Sequence, residues 1–257
     1  GYCYIQGKGV KKNESEAVHW YTLAAKQGDA KAQNNLGVCY ERGMGVAKNE
    51  SEAVRWYTLA AKQGDAYAQY NLGVCYNNGI GVAKNESEAV RLYTLSAKQG
   101  NTNAQYNLGV CYARGIGVAK NESEAVRLYT LAANQGYAKA QYNLGVCYER
   151  GIGVVKNESE AVRLYTLAAN QGDAYAQYNL GVCYDNGIGV AKNESEAVRW
   201  YTLAANQGYA KAQYNLGICY DNGRGVEKNE REAVHWYTLA AKQGNVDAQY
   251  NLGVSYS

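Results

Sequence analysis

Apolar and polar positions recur along this chain every 36 residues, and the period is legible before any single motif is. Leu36, Leu72, Leu108, Leu144, Leu180, Leu216 and Leu252 stand one period apart, each followed by glycine, and the glycine series starts at Gly1. A fixed internal period overrides the usual estimate of domain number from length. The 257 residues therefore read as seven copies of one unit and a short remainder.

The unit from Asp173 to Gly208 shows what each copy builds. Ala176, Leu180, Cys183 and Tyr184 lie at i, i+4, i+7 and i+8, one stripe of a first helix that Asp173 caps and Gly187 stops. Gly181 interrupts that helix in every copy, at a cost of up to about 1 kcal/mol relative to alanine. A cost repeated so faithfully predicts close approach by another helix. Gly187-Ile188-Gly189-Val190-Ala191-Lys192 predicts a short turn with positive φ angles, its Val190 plugging the gap between helices. Asn193, with Glu196 three residues on, approximates a capping box, and Glu194 adds negative charge at the positive end of the dipole. A second helix then carries Ala197, Tyr201, Ala204 and Ala205 on one face and ends at Gln207-Gly208. Two such helices cannot bury both apolar faces alone, so copies must stack. No linker, composition shift or low-complexity break interrupts the series, and residues 1–257 are expected to form a single continuous array of about seven repeats.

The run Ala-Gln-x-Asn-Leu-Gly-x-x-Tyr-x-x-Gly-x-Gly-Val, followed by Glu-Ala-x-x-x-Tyr-x-x-Ala-Ala-x-x-Gly, resembles the Sel1-like repeat, a relative of the tetratricopeptide repeat with a longer loop between its helices. The family often has proline after Gly-Val and an acidic residue at the second cap, where this chain has Ala191 and Asn193. The resemblance implies an all-α fold, a right-handed superhelical α-solenoid of antiparallel helix pairs. It also implies an adaptor of the kind that serves protein complexes, quality control and bacterial signalling, with first helices lining a concave groove.

That placement makes two ladders candidate groove contacts for protein or peptide partners. One comprises Tyr70, Tyr106, Tyr142, Tyr178 and Tyr214, and the other Asn71, Asn107, Asn143, Asn179 and Asn215. Asparagine donates and accepts at once and can grip an extended backbone, while tyrosine supplies amphipathic contact area. The competing reading packs the tyrosines between repeats and spends the asparagines on bonds across first helices. Copies differ most at Lys31, Tyr67, Asn103, Lys139, Tyr175, Lys211 and Asp247, and at Glu41, Asn77, Ala113, Glu149, Asp185 and Asp221, where partner choice would reside.

Composition narrows the function further. The chain has no proline and no phenylalanine, with 26 Tyr and 4 Trp. A net charge of +3 with interspersed signs lacks the concentrated basic footprint of a nucleic-acid binder. No run reaches the roughly 18 to 20 apolar residues of a membrane span, and no signal-peptide pattern opens the chain. Acidic, basic and thiol positions repeat as ladders and do not converge, so no enzyme, cofactor or metal site is expected. His19 and His235 occupy one position of the unit six periods apart and cannot share a metal. The seven cysteines also share one position, Cys3 through Cys219, with Ser255 in the last copy. One thiol per stacked repeat is too distant from the next for a disulfide.

Asn13, Asn49, Asn85, Asn121, Asn157 and Asn193 each open Asn-Glu-Ser, an acceptor pattern for N-linked glycan in a secretory compartment. Arg231 removes the seventh. The same asparagines suit helix starts. Unpaired cysteines slightly favour an intracellular, reducing compartment, with a secreted or extracellular location as the alternative from the acceptor patterns. Gly1–Ile5 and Val254–Ser257 match the middle of a first helix, as expected of an excerpt of a longer array or of ends that associate with one another. The alternative to an adaptor is accordingly a structural repeat array or fibre, which the near-identity of the copies favours.

Overall fold

The computed structural model describes residues 1–255, and side chains through Gly253. Tyr256 and Ser257, assigned from sequence to the last first helix, lie outside the described residues, as do the side chains of Val254 and Ser255. Fifteen helices and no strand occur among the described residues. The first part of the chain holds α1 (Tyr2–Gln6), α2 (Glu14–Lys26), α3 (Ala30–Arg42), α4 (Glu50–Lys62), α5 (Ala66–Asn78), α6 (Glu86–Lys98), α7 (Thr102–Arg114) and α8 (Glu122–Asn134). There follow α9 (Ala138–Arg150), α10 (Glu158–Asn170), α11 (Ala174–Asn186), α12 (Glu194–Asn206), α13 (Ala210–Asn222), α14 (Glu230–Lys242) and α15 (Val246–Ser255). Odd-numbered elements are first helices and even-numbered ones second helices. The chain forms two compact units, Gly1–Leu131 and Ala132–Ser257, divided within α8.

Each helix packs on the next in sequence from α1 to α7 and from α9 to α15, so the architecture is a stack of antiparallel helix pairs, an α-solenoid. Asp173 caps α11 by accepting from the Ala176 N–H at 2.9 Å, and Asn193 caps α12 by accepting from the Glu196 N–H at 3.1 Å. The reciprocal half of the capping box does not form. The Asn193 N–H donates to the Tyr184 carbonyl at 2.8 Å, tying the loop to the end of α11, and the Glu196 carboxylate accepts from Arg199 instead.

Two glycines per copy carry the packing. A Cβ on Gly181 would lie 2.6 Å from the ring of Tyr201 and 3.3 Å from the Ala197 carbonyl oxygen, so the ring of α12 lies flat against bare backbone of α11. Tyr201 is thereby 1% exposed, and its equivalents Tyr57, Tyr165 and Tyr237 are equally enclosed. Gly189 has φ of 67°, as the turn requires, but its greater constraint is steric: a side chain there would collide with the Glu158 carbonyl at the start of α10. The loop of one repeat thus seats on the second helix of the repeat before it. Ile188 and Val190 pack beside it on a core of Ala161, Tyr165, Ala168, Leu180 and Trp200, the plug expected of Val190.

A second ladder, unremarked in the sequence, runs through the buried glutamines. Gln177 donates to the Ala169 carbonyl at 3.1 Å and accepts from Gln207 at 2.7 Å, and Gln69, Gln141 and Gln213 repeat the pattern. The bonds satisfy both ends of an amide that burial would otherwise penalise by about 1 to 3 kcal/mol.

Candidate functional site on the first-helix face

The tyrosine and asparagine ladders do share one face, half-buried, and they are bonded to the protein itself. Tyr70, Tyr142, Tyr178 and Tyr214 each lean on the next second-helix tyrosine, with ring centroids 5.9 to 6.0 Å apart, and Tyr106 does the same against Tyr129 at 5.9 Å. The asparagines fill the spaces between hydroxyls. The Asn179 amide acts on the Tyr142 and Tyr165 hydroxyls, Asn215 on Tyr178 and Tyr201, and Asn107 on Tyr93, in each case favouring the ionised phenol. Asn71 donates to Asn34 Oδ1 at 2.9 Å across neighbouring first helices. Asn143 is engaged as well. Burial drives the Tyr142 and Tyr178 hydroxyls upward from the ordinary phenol range, and the asparagine bonds partly oppose it.

Between α5 and α7 this face opens a pocket of about 290 Å³. Tyr70 and Asn107 line it, joined by Val74, Asn77, Asn78, Val110 and Arg114, with Tyr93 behind. Asn71 and Tyr106 do not line it. Asn78 and Arg114 sit at helix C-termini beside the turn glycine, the position that Asn186 holds in its own repeat.

The row of variable acidic residues is partly committed to internal contacts. Glu41 accepts from the Tyr57 hydroxyl at 2.6 Å, Glu149 from Tyr165 at 3.1 Å, and Asp221 from Tyr237 at 3.4 Å. Asp185 pairs with Arg224.

Unit 2 adds an aromatic cluster that periodicity concealed. Tyr175 meets Tyr142 at 5.8 Å and Tyr209 at 5.1 Å, and Tyr209 meets Tyr178 at 5.1 Å. Tyr175 is 55% exposed. Tyr209 stands where Asp173 caps the preceding repeat, and α13 has no side-chain cap bond. A substitution that gives up a cap for ring contacts on an open face was the signal available in the sequence.

The remaining candidates are simpler. Asn13, Asn49, Asn85, Asn121, Asn157 and Asn193 are exposed, and each accepts through Oδ1 from an N–H of the helix it starts. His19 and His235 stand edge-on to Trp20 and Trp236. None of the seven cysteines is in a disulfide; Cys3 is exposed and the rest are buried. Burial pushes Cys75 and Cys183 up to about 12 and Cys111 and Cys219 to about 11, the reverse of an activated thiol. Among the described residues no cluster of His, Cys, Asp or Glu is grouped as metal ligands, and no helix is long and apolar enough to cross a membrane.

A family model for the Sel1 repeat matches residues 1–29, 30–65, 66–101, 102–137, 138–173, 174–209, 210–245 and 246–257. The chain belongs to the Sel1 repeat family. Its structure is similar to that of c5321, a protective antigen present in uropathogenic Escherichia coli strains and displaying an SLR fold, with 39% identity and a TM-score of 0.92. The match covers 99% of this chain and 55% of that one, so the chain spans about half the length of that relative. A Sel1 repeat protein from Oxalobacter formigenes is similar at 36% identity and a TM-score of 0.81, over 93% of this chain and 95% of that one. The immunity protein PA5088 from Pseudomonas aeruginosa, at 22% identity and a TM-score of 0.53 over 83% of this chain and 80% of that one, shares the fold alone. No curated protein matches. Sel1 repeat proteins are generally non-enzymatic protein-interaction scaffolds.

Proposed function

We propose that this protein is a non-enzymatic scaffold that holds segments of partner proteins along its first-helix face, residues 1–257 acting as one continuous array. The observation that carries this reading is the cluster of Tyr142, Tyr175, Tyr178 and Tyr209. Rigid, partly exposed tyrosines with hydroxyls at their rim are the side chains that dominate binding energy at protein interfaces. The asparagine ladder holds the rings in place and leaves spare amide capacity toward a peptide backbone.

Photocrosslinking tests it directly. A benzophenone amino acid placed at Tyr175 is expected to capture one discrete partner in the native cell, whereas the same probe at Arg199, on the second helix, captures none of it. Tyr209→Ala in the Tyr175 probe background should reduce that adduct at least severalfold. Identical background from both probe positions would reject the reading.

The internal commitment of the asparagines favours a second reading, in which the copies serve extension and associate end to end as a fibre. Negative-stain microscopy of native material separates the two: uniform filaments with an axial repeat select the fibre, and discrete short particles the scaffold.

A further inference from the structure

One position of the second helix alternates between two residues, and the alternation opens or closes a pocket on the opposite side of the repeat from the tyrosine ladder. Tryptophan stands there at Trp20, Trp56, Trp200 and Trp236, and leucine at Leu92, Leu128 and Leu164; Trp20 is 48% exposed, and the comparison runs over the other six. Trp200 packs over Leu180 of its own repeat and Ala169 of the preceding one, and Trp56 over Leu36 and Ala25 in the same way.

Burial of the floor follows the alternation in all six copies. Beneath tryptophan, Leu36, Leu180 and Leu216 are each 0% exposed, whereas beneath leucine, Leu72, Leu108 and Leu144 keep 4%, 3% and 4%. The alanines agree: Ala25, Ala169 and Ala205 are each 2% exposed, against 9%, 8% and 7% for Ala61, Ala97 and Ala133. At Leu92 the vacated space is a pocket of about 450 Å³, floored by Ala61 and Leu72 and edged by Lys62, Glu88, Arg91 and the exposed Leu95. At Leu128 it is about 390 Å³, with Ala97, Leu108, Lys98 and Arg127 in the same roles.

The neighbouring arginine changes with the ring. Arg199 lies over the Trp200 ring, 4.7 Å from its centroid, and Arg55 over Trp56 at 5.3 Å, each keeping a single bond to its glutamate at 3.1 Å. Without the ring, Arg91, Arg127 and Arg163 fold onto Glu88, Glu124 and Glu160 with two bonds of 2.8 and 2.6 Å. The ring itself, and not its N–H, is what the place accommodates, since Nε1 of Trp56, Trp200 and Trp236 has no hydrogen-bond partner.

We propose that the Leu92, Leu128 and Leu164 copies are sockets for an aromatic side chain of a partner polypeptide, one that takes the place the indole fills in the sister repeats. Arg91, Arg127 and Arg163 then swing from glutamate to the face of the incoming ring, a cation–π contact. At the sockets of Leu92 and Leu128, the lysine and arginine on the rim outnumber the glutamate and select acidic residues beside that ring. The polypeptide source of the ring rests on the scaffold reading, whereas the sockets do not.

Fluorine NMR on the full chain tests the proposal with a capped tripeptide, fluorotryptophan between two aspartates, whose signal is free of the four native tryptophans. Binding near about 0.1 to 1 mM is expected, lost with the tripeptide carrying a fluorinated alanine at the centre. Filling the sockets with L92W/L128W/L164W, residues the sister copies already tolerate, should weaken binding at least tenfold. R91A/R127A/R163A should weaken it about 2- to 10-fold and keeps the test valid if the filled variant misfolds. No binding to the native chain, or equal binding to the filled and folded variant, overturns the sockets while leaving the Tyr175 crosslink untouched. Probe binding without that crosslink instead rejects the first-helix reading.

Discussion

Gly181 shows how much one missing side chain decides. Its helical position would favour alanine by about 1 kcal/mol, yet a Cβ there would lie 2.6 Å from the Tyr201 ring. Overpacking of this kind costs about 1 to 3 kcal/mol. Gly181→Ala is therefore expected to destabilise unit 2 in urea unfolding despite the better helix propensity. Gly253→Ala is the control, because nothing lies within 4 Å of its Cβ position, and it should be neutral or stabilising. Equal responses from the two would show that the ring does not depend on the glycine. The sequence revealed that a close approach was needed at Gly181. It did not reveal that the Tyr201 ring makes the nearest approach, ahead of the Ala197 carbonyl of the same helix, since one period contains several apolar residues able to reach that spot.

At the scale of the element, caps and face chemistry compete for the same position. Asp29, Asp65 and Asp173 each cap a first helix through a side-chain bond, whereas Tyr209 supplies none to α13. Tyr209→Asp should restore the cap and add about 0.5 to 2 kcal/mol of stability, measured by chemical unfolding. By the scaffold reading the same change weakens partner capture at Tyr175, because it removes a ring that touches both Tyr175 and Tyr178. A variant neither more stable nor weaker in capture would show that Tyr209 carries neither role. Helix starts were legible in the sequence because Asp173 and Asn193 act locally. The failed half of the capping box was not, because the Asn193 N–H is taken by Tyr184 across the loop.

The molecule as a whole gathers its titration behaviour from repetition. Cys75, Cys111, Cys183 and Cys219 hold their protons up to about 11 or 12 when folded, chiefly because burial disfavours the thiolate. Unfolded thiols ionise near about 8.5 and unfolded tyrosines near about 10. A raised folded value means that the stabilising contribution is complete below the unfolded value and falls as pH rises toward the folded one. Stability should thus be flat to about pH 8, decline from about pH 8.5, and steepen above about pH 10 as the buried tyrosines join. Urea midpoints across that range check it. Replacing Cys75, Cys111, Cys183 and Cys219 by alanine should shrink the first decline to what Cys39, also pushed up by burial, contributes and leave the second, and an unchanged profile would contradict the assignment.

Whatever depends on neighbours within one unit was written in the sequence: the period, both helices, their caps at Asp173 and Asn193, and the stripe of Ala176, Leu180, Cys183 and Tyr184. Local hydrogen bonds and helical geometry act over a few residues, and copying a unit copies those instructions. Tertiary structure decided what lies between copies. It set Gly189 on the helix of the preceding repeat, turned the Asn179 amide toward Tyr142, and left open the space beside Leu92 that Trp200 fills in its own repeat. Those contacts join residues about one repeat apart, whose distance is fixed only when copies stack and apolar faces leave water together.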